Sequence, residues 1–320
     1  MDFEIYPSTL LRVVSPSTLL RTVSLSNGLS NHLEFENCYL GIKQNHYENT
    51  KKDTMTTLRQ GLMLGDGGVV SLVGAGGKTS LMFRLAYELA EVGQTVLTTT
   101  TTKIFEPSPD QATQLILTAS ASELMGQARA LLQSQLHICA AAARLPEQGK
   151  LDGLLPEVVE EISKSRLFQW IIVEADGAAR RPLKVPADHE PVIPATTTHL
   201  VGVVGLNGVG RPLSDQWVFR LRQFAELTGL EIGAIVNETA ITKVLVDKKG
   251  IFKDAPDKAE RIVFCNQADI SQNLATGRSI AQNLLKMETT GIKRVVIGQA
   301  HCDPPVLEVY DLNAQSGYDD

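Results

Sequence analysis

Seven consecutive residues, Gly74, Ala75, Gly76, Gly77, Lys78, Thr79 and Ser80, carry the clearest chemistry in the chain. Glycines let the backbone turn so that successive N–H groups converge on one point, and a helix beginning just beyond adds its partial positive charge. That arrangement encloses phosphate oxygens. Lys78 is then placed to neutralise terminal phosphates, and the Thr79 hydroxyl to ligate Mg²⁺. The full pattern G-x-x-x-x-G-K-[ST] calls for glycine at position 72, where this chain has Leu72, so the loop reads as the shorter G-x-x-G-K-T.

A second group lies a hundred residues on. The apolar run Trp170 to Val173 delivers Glu174 and Asp176, which face the same way while the chain stays extended. Carboxylates at the carboxyl edge of a parallel strand can hold Mg²⁺ opposite the Thr79 hydroxyl. Lys78, Asp176 and Arg180 are the expected catalytic groups, and Thr79, Glu174 and Asp176 the expected metal ligands. Arg180, Arg181 and Lys184 put three cations within five positions, enough to neutralise a triphosphate or hold an anionic substrate, although a solvated basic loop explains them nearly as well. Prolines at 182, 186, 191 and 194 argue for a shaped loop there rather than a helix. His189 has no partner at metal spacing. The threonines from Thr98 to Thr102 read either as strand residues or, at Thr101 and Thr102, as hydroxyls near a phosphate.

A third group is Asn266-Gln267-Ala268-Asp269 after the apolar run Arg261 to Cys265. An Asp in this position accepts from guanine N1–H and the exocyclic N2 amine, whereas adenine presents an acceptor at N1 and has no N2 amine. Asn266 and Asp269 are therefore the expected base-reading residues, with GTP the expected nucleotide and ATP its competitor.

These groups must be positioned by a scaffold whose periodicity is readable. Strands are expected at 68–73, 95–100, 115–117, 136–141, 170–173, 200–204, 231–236, 261–265 and 294–297. Helices are expected after the glycine loop, with Leu81, Leu85, Leu89 and Val92 on one face, and at 122–133 and 156–164. Short apolar strands alternating with helices indicate a doubly wound, mostly parallel α/β sheet over residues 61–320. Residues 1–60 read as a poorly ordered extension. They hold a near-perfect nine-residue repeat, 7–15 and 16–24, followed by a stretch rich in Asn, Ser, Lys and Glu.

Composition narrows the class. The 320 residues carry a net charge of −6, with 43% hydrophobic and 21% charged residues. A sizeable core is available, and the acidic balance disfavours a general nucleic-acid or anionic-membrane partner. No apolar run is long enough to span a bilayer. The four cysteines, Cys38, Cys139, Cys265 and Cys302, form no CxxC pair, which fits reduced thiols in a cytoplasmic protein.

The glycine loop at 73–80, the threonine run ending in Lys103-Ile104, the segment 174–186 and Asn266-Gln267-Ala268-Asp269 together resemble the YqeC-like family. The resemblance spans residues 65 to 310 and leaves the first sixty unmatched. It implies an accessory role in the maturation of selenium-dependent molybdenum hydroxylases, with such a hydroxylase or its cofactor-synthesis enzymes as partners. The loop is also similar to that of Mur-type ligases, and Glu174-x-x-Gly177 to the acidic motif of the signal-recognition class of P-loop GTPases. Three readings follow: a Mg²⁺-dependent NTPase, an ATP-dependent kinase or ligase on an anionic acceptor, and a non-catalytic scaffold gated by nucleotide.

Overall fold

The computed structural model describes residues 56–287 and 290–312. The chain divides into two units, 1–48 and 49–320. The first, with the repeat and Cys38, lies outside the described residues.

Among the described residues seven α-helices and fourteen strands follow one another. The chain begins with α1 (Leu58–Gly61), β1 (Gly68–Gly74), α2 (Lys78–Glu91), β2 (Val96–Thr100), β3 (Lys103–Phe105) and β4 (Leu115–Leu117). Then come α3 (Ala121–Leu131), β5 (His137–Ala141), β6 (Ala143–Leu145), β7 (Lys150–Asp152), α4 (Pro156–Ser165) and β8 (Trp170–Glu174). The remainder is β9 (Leu183–Lys184), β10 (His199–Gly205), β11 (Val218–Phe219), α5 (Leu221–Thr228), α6 (Glu238–Val246), β12 (Glu260–Asn266), α7 (Ser271–Leu285), β13 (Ile292–Gly298) and β14 (Val306–Asp311).

Nine strands form one sheet in the order β14-β13-β12-β10-β1-β8-β2-β5-β4. All neighbours are parallel except the β13–β14 pair at one edge. Alternation along each strand sends side chains to opposite layers. Val70 and Leu72 of β1, Trp170 and Ile172 of β8, and Ile262 and Phe264 of β12 pack with Leu81, Leu85 and Leu89 of α2. On the other face, Val69, Ile171 and Val173 meet Leu124 and Ala128 of α3 and Val159 and Ile162 of α4. Further along that face, Val73, Val263 and Cys265 meet Phe224, Ile241 and Ile280 of α5, α6 and α7. Helices on both faces of a parallel sheet make the doubly wound α/β architecture. Among the described residues no helix is long and apolar enough to cross a membrane.

Several elements differ from the sequence expectation. Leu58 and Leu62 are fully buried, so the packed chain includes residues 58–60, which composition had placed with the extension. Residues 231–236 form no strand. Ile232 and Ile235 are exposed, Gly233 adopts φ +92°, and the segment makes a single bridge from Ile235 to Pro212. An apolar run of that length cannot by itself distinguish a strand from a turn held by backbone bonds. Val92 is exposed beyond the end of α2, where Gly93 at φ +84° turns the chain. The small antiparallel sheet β3-β7-β6 was not foreseen, because three-residue strands carry too little periodicity to register.

Candidate functional site

Because β1 and β8 pair in parallel with Leu72 opposite Glu174, the residues beyond them emerge side by side at the carboxyl edge of the sheet. Three glycines of the loop take left-handed φ values, +93° at Gly74, +88° at Gly76 and +116° at Gly77. The space is closed as well. A Cβ on Gly76 would lie 2.3 Å from the Gly205 Cα, and one on Gly77 2.3 Å from the Asn266 Nδ2. Helix α2 starts at once with no side-chain cap and no acid in its first turn, which leaves its N-terminal N–H groups without a side-chain acceptor.

Lys78 is 3% exposed and folds back onto the loop, its Nζ donating to the Gly74 carbonyl at 2.6 Å. The same ammonium lies 3.2 Å from Asp176 Oδ1 and 3.7 Å from Glu174 Oε1. Thr79 Oγ1 donates to Glu174 Oε2 at 2.7 Å, and the Gly74 N–H to Asp176 Oδ2 at 3.1 Å. Burial pushes Lys78 down, but Asp176 and Glu174 outweigh it and hold the ammonium above its ordinary value. Burial raises the Glu174 carboxyl, and Lys78 and Thr79 offset only part of that. Lys78, Thr79, Glu174 and Asp176 are thus gathered within one cluster.

Asp176 is also the head of a buried ionic chain. Lys184, which has no exposed side-chain surface, bonds Asp176 Oδ2 at 2.8 Å, the Gly177 carbonyl at 2.6 Å and Glu190 Oε2 at 2.8 Å. Glu190 is in turn gripped by Arg220 at 2.7 and 3.2 Å. The sequence placed Lys184 among cations open to an anion; the structure corrects this, since its ammonium is spent on three internal acceptors. Spacing along the chain gave no hint of Arg220, thirty residues from Glu190.

Arg220 and Lys184 outweigh the burial of Glu190 and hold its carboxyl at about 2, against an ordinary 4.5. A depressed carboxyl contributes stability above its unfolded pKa and loses it as pH falls through the folded value. Stability worth about 3 kcal/mol should therefore disappear between about pH 4.5 and 2. Chemical denaturation across that range checks it: Glu190→Gln should be less stable than wild type at pH 7 and show a flatter acid limb.

The other expected residues fall in different places. Asn266 Nδ2 donates to the Gly76 carbonyl at 2.8 Å and its Oδ1 accepts from the Ala300 N–H at 2.9 Å, so it ties the glycine loop to the segment after β13. Asp269 is exposed and close enough to His301 to oppose the desolvation that lowers that imidazole. Ser80 bonds His301 Nε2 at 2.7 Å, and Arg84 one turn later pairs with Asp303. No local signal marks these contacts, because they join positions more than two hundred residues apart. Arg180 sits at φ +59° with its guanidinium 4.1 Å from the centre of the Phe105 ring. Thr100 and Thr101 donate to the carbonyls of Glu174 and Val192, which ties the threonine run to the end of β8 and to the loop that follows β9. Thr102 N–H closes on the Thr100 hydroxyl. His189 is exposed. Burial raises the Cys139 and Cys265 thiols to about 11 and 12, so neither is a nucleophile at neutral pH.

A metal at this site would find hard oxygen donors. The Thr79 hydroxyl and Glu174 carboxylate are already in contact, and buried Asp176 Oδ1 has no hydrogen bond. Among the described residues no group of three or more His, Cys, Asp or Glu could hold a metal ion, so phosphate or water oxygens must complete the shell.

Residues 70–222 match the model of the YqeC protein family. A relative from Escherichia coli (strain K12), named "Uncharacterized protein YqeC", is 33% identical over 224 residues, covering 70% of this chain and 85% of that protein. Two crystal structures of FtsY from Mycoplasma mycoides align at TM-scores of 0.35 and 0.31 with 11% and 12% identity. They cover 82% and 87% of this chain, and 69% and 72% of theirs. On the match to the family model and the identity to that relative over most of its length, the chain belongs to the YqeC family.

Proposed function

We propose that the chain is a Mg²⁺-dependent nucleoside-triphosphate-binding protein that hydrolyses its nucleotide slowly. One observation carries the reading: a buried lysine at the start of an uncapped helix lies against two carboxylates and the carbonyl of its own glycine loop. Lys78 is held in a pair that a polyphosphate and a cation can exchange together. Its ammonium moves to phosphate oxygens, and Thr79 with Glu174 or Asp176 is left to hold Mg²⁺. Bound there, Mg²⁺ supplies charge neutralisation of the terminal phosphates and the carboxylates at once. The loop N–H groups and the α2 N-terminus position the phosphates, and positioning with electrostatics is most of what phosphoryl transfer requires. In this reading one of the two acids, or Arg180, assists phosphoryl transfer to water.

GTP is the nucleotide we expect, with Asp269 as its base reader; the reading is supported by Asn266 bonding the glycine loop three residues before Asp269 and by Asp269 lying near His301, which bonds Ser80. The family resemblance adds the cellular setting, an accessory step in the maturation of selenium-dependent molybdenum hydroxylases.

Displacement of a fluorescent GTP analogue by GTPγS and ATPγS tests the base assignment. GTPγS should displace it at least roughly a hundredfold better, and Asp269→Ala should collapse that preference. Equal displacement by the two nucleotides would remove Asp269 from the site and favour the ATP-dependent kinase or ligase reading.

A further inference from the structure

Three features of the sheet edge stand in line. The base-side residues follow β12, the glycine loop follows β1, the carboxylates follow β8, and next in order comes β2, whose continuation is the small sheet β3-β7-β6. On β3, Lys103 and Phe105 share the outward face while Ile104 is buried. Phe105 lies opposite Lys150 of β7, and Lys103 opposite Asp152. The Phe105 ring is 44% exposed, with Arg180 4.1 Å and Lys150 5.2 Å from its centre.

The segment that supplies Arg180 is anchored to the glycine loop at both ends. Asp176 accepts from the Gly74 N–H, and the Pro182 carbonyl accepts from Gly205 while lying 2.9 Å from where a Gly76 Cβ would be. Two residues of extended chain reach about 7 Å, so Arg180 cannot stand far from the loop. Ala179 and Arg180 are both left-handed, at φ +47° and +59°, a conformation that costs energy in residues with a Cβ. In that conformation the Arg180 guanidinium lies over an exposed aromatic ring.

We infer that Lys103, Lys150 and Arg180 around Phe105 form a second anion site, for a small phosphomonoester dianion lying beyond the terminal phosphate of the nucleotide. With Lys103 opposite Asp152 and Glu106 held by Arg144, the charges of Arg180 and Lys150 at the ring are left to match a dianion. Arg180 offers paired donors suited to phosphate oxygens, and Lys150 supplies a point charge. The position beside the nucleotide rests on the proposed function; the anion site itself does not.

The test is calorimetric titration of the full chain with phenyl phosphate, with benzoate as the carboxylate control, in wild type and in Lys78→Ala, Phe105→Leu and Lys150→Ala. Thermal melts show that each variant is folded. The inference expects saturable millimolar binding of phenyl phosphate that survives Lys78→Ala. It expects that binding to fall by roughly tenfold in Phe105→Leu and in Lys150→Ala. Loss in Lys78→Ala with retention in Phe105→Leu would place the probe in the glycine loop and overturn the second site. Absence of saturable binding, or benzoate binding as well as phenyl phosphate, would overturn it too. Titration of GTPγS in the same samples separates the two claims. Phenyl phosphate bound at Phe105 with no nucleotide bound anywhere would sink the nucleotide reading and leave the anion site standing.

Discussion

Replacing Lys78 with alanine should weaken triphosphate binding by about a hundredfold or more, equivalent to ~2.7 kcal/mol. The loss has two sources. The phosphates lose their buried cation, and the glycine loop loses the side chain that now bonds the Gly74 carbonyl. The same substitution should also destabilise the empty protein. Asp176 keeps Lys184, but Glu174 would be left buried against Asp176 with only the Thr79 hydroxyl as partner. Burial already raises the Glu174 carboxyl, so protonation offers it a way out. A carboxyl raised in the folded state favours folding as it protonates, so the deficit of Lys78→Ala relative to wild type should shrink as pH falls from 7 toward 5. Equilibrium denaturation at the two pH values checks this. A deficit that stays constant would mean that Glu174 is not the group left unpaired.

The second large effect is expected at Lys184. Alanine there removes the one cation shared by Asp176 and Glu190 and leaves part of the charge of both carboxylates buried and uncompensated. Breaking such an arrangement from one side costs about 3–5 kcal/mol. In a domain of this size that corresponds to a fall in melting temperature of about 10 °C. Arg220→Ala should cost less, because its side chain is partly exposed and Lys184 remains on Glu190. A Lys184→Ala melt within about 2 °C of wild type would show that the ionic chain contributes nothing to stability.

Much of this fold was legible because its signals are local. The run 68–74 ends in glycines and is followed by leucines at helical spacing, so β1, the loop and α2 could be placed from the residues alone. The parallel β8 with Glu174 at its end was equally plain, and its pairing with β1 brings the acids to the loop. What escaped depends on how the chain folds back on itself. Lys184 read as a cation for an anionic ligand or for solvent, because the spacing of Asp176, Gly177 and Glu190 six to eight residues away does not reveal that they close around it. The contact of Arg180, an expected catalytic group, with Phe105 was not visible because Phe105 lies on a three-residue strand with no periodic signature. The 231–236 run has strand composition yet turns, because its backbone groups bond residues 211 and 213 rather than a sheet neighbour.

The central claim is that Lys78, Thr79, Glu174 and Asp176 exchange an internal ion pair for a metal–triphosphate. Calorimetric titration of GTPγS into the full chain, once with Mg²⁺ and once with EDTA, tests it most directly. With Mg²⁺ the account predicts saturable one-to-one binding. With EDTA the affinity should fall at least roughly tenfold, because Lys78 would then leave buried Glu174 without a counter-charge and Asp176 with Lys184 alone. Binding of equal strength in both buffers, or none in either, would contradict it.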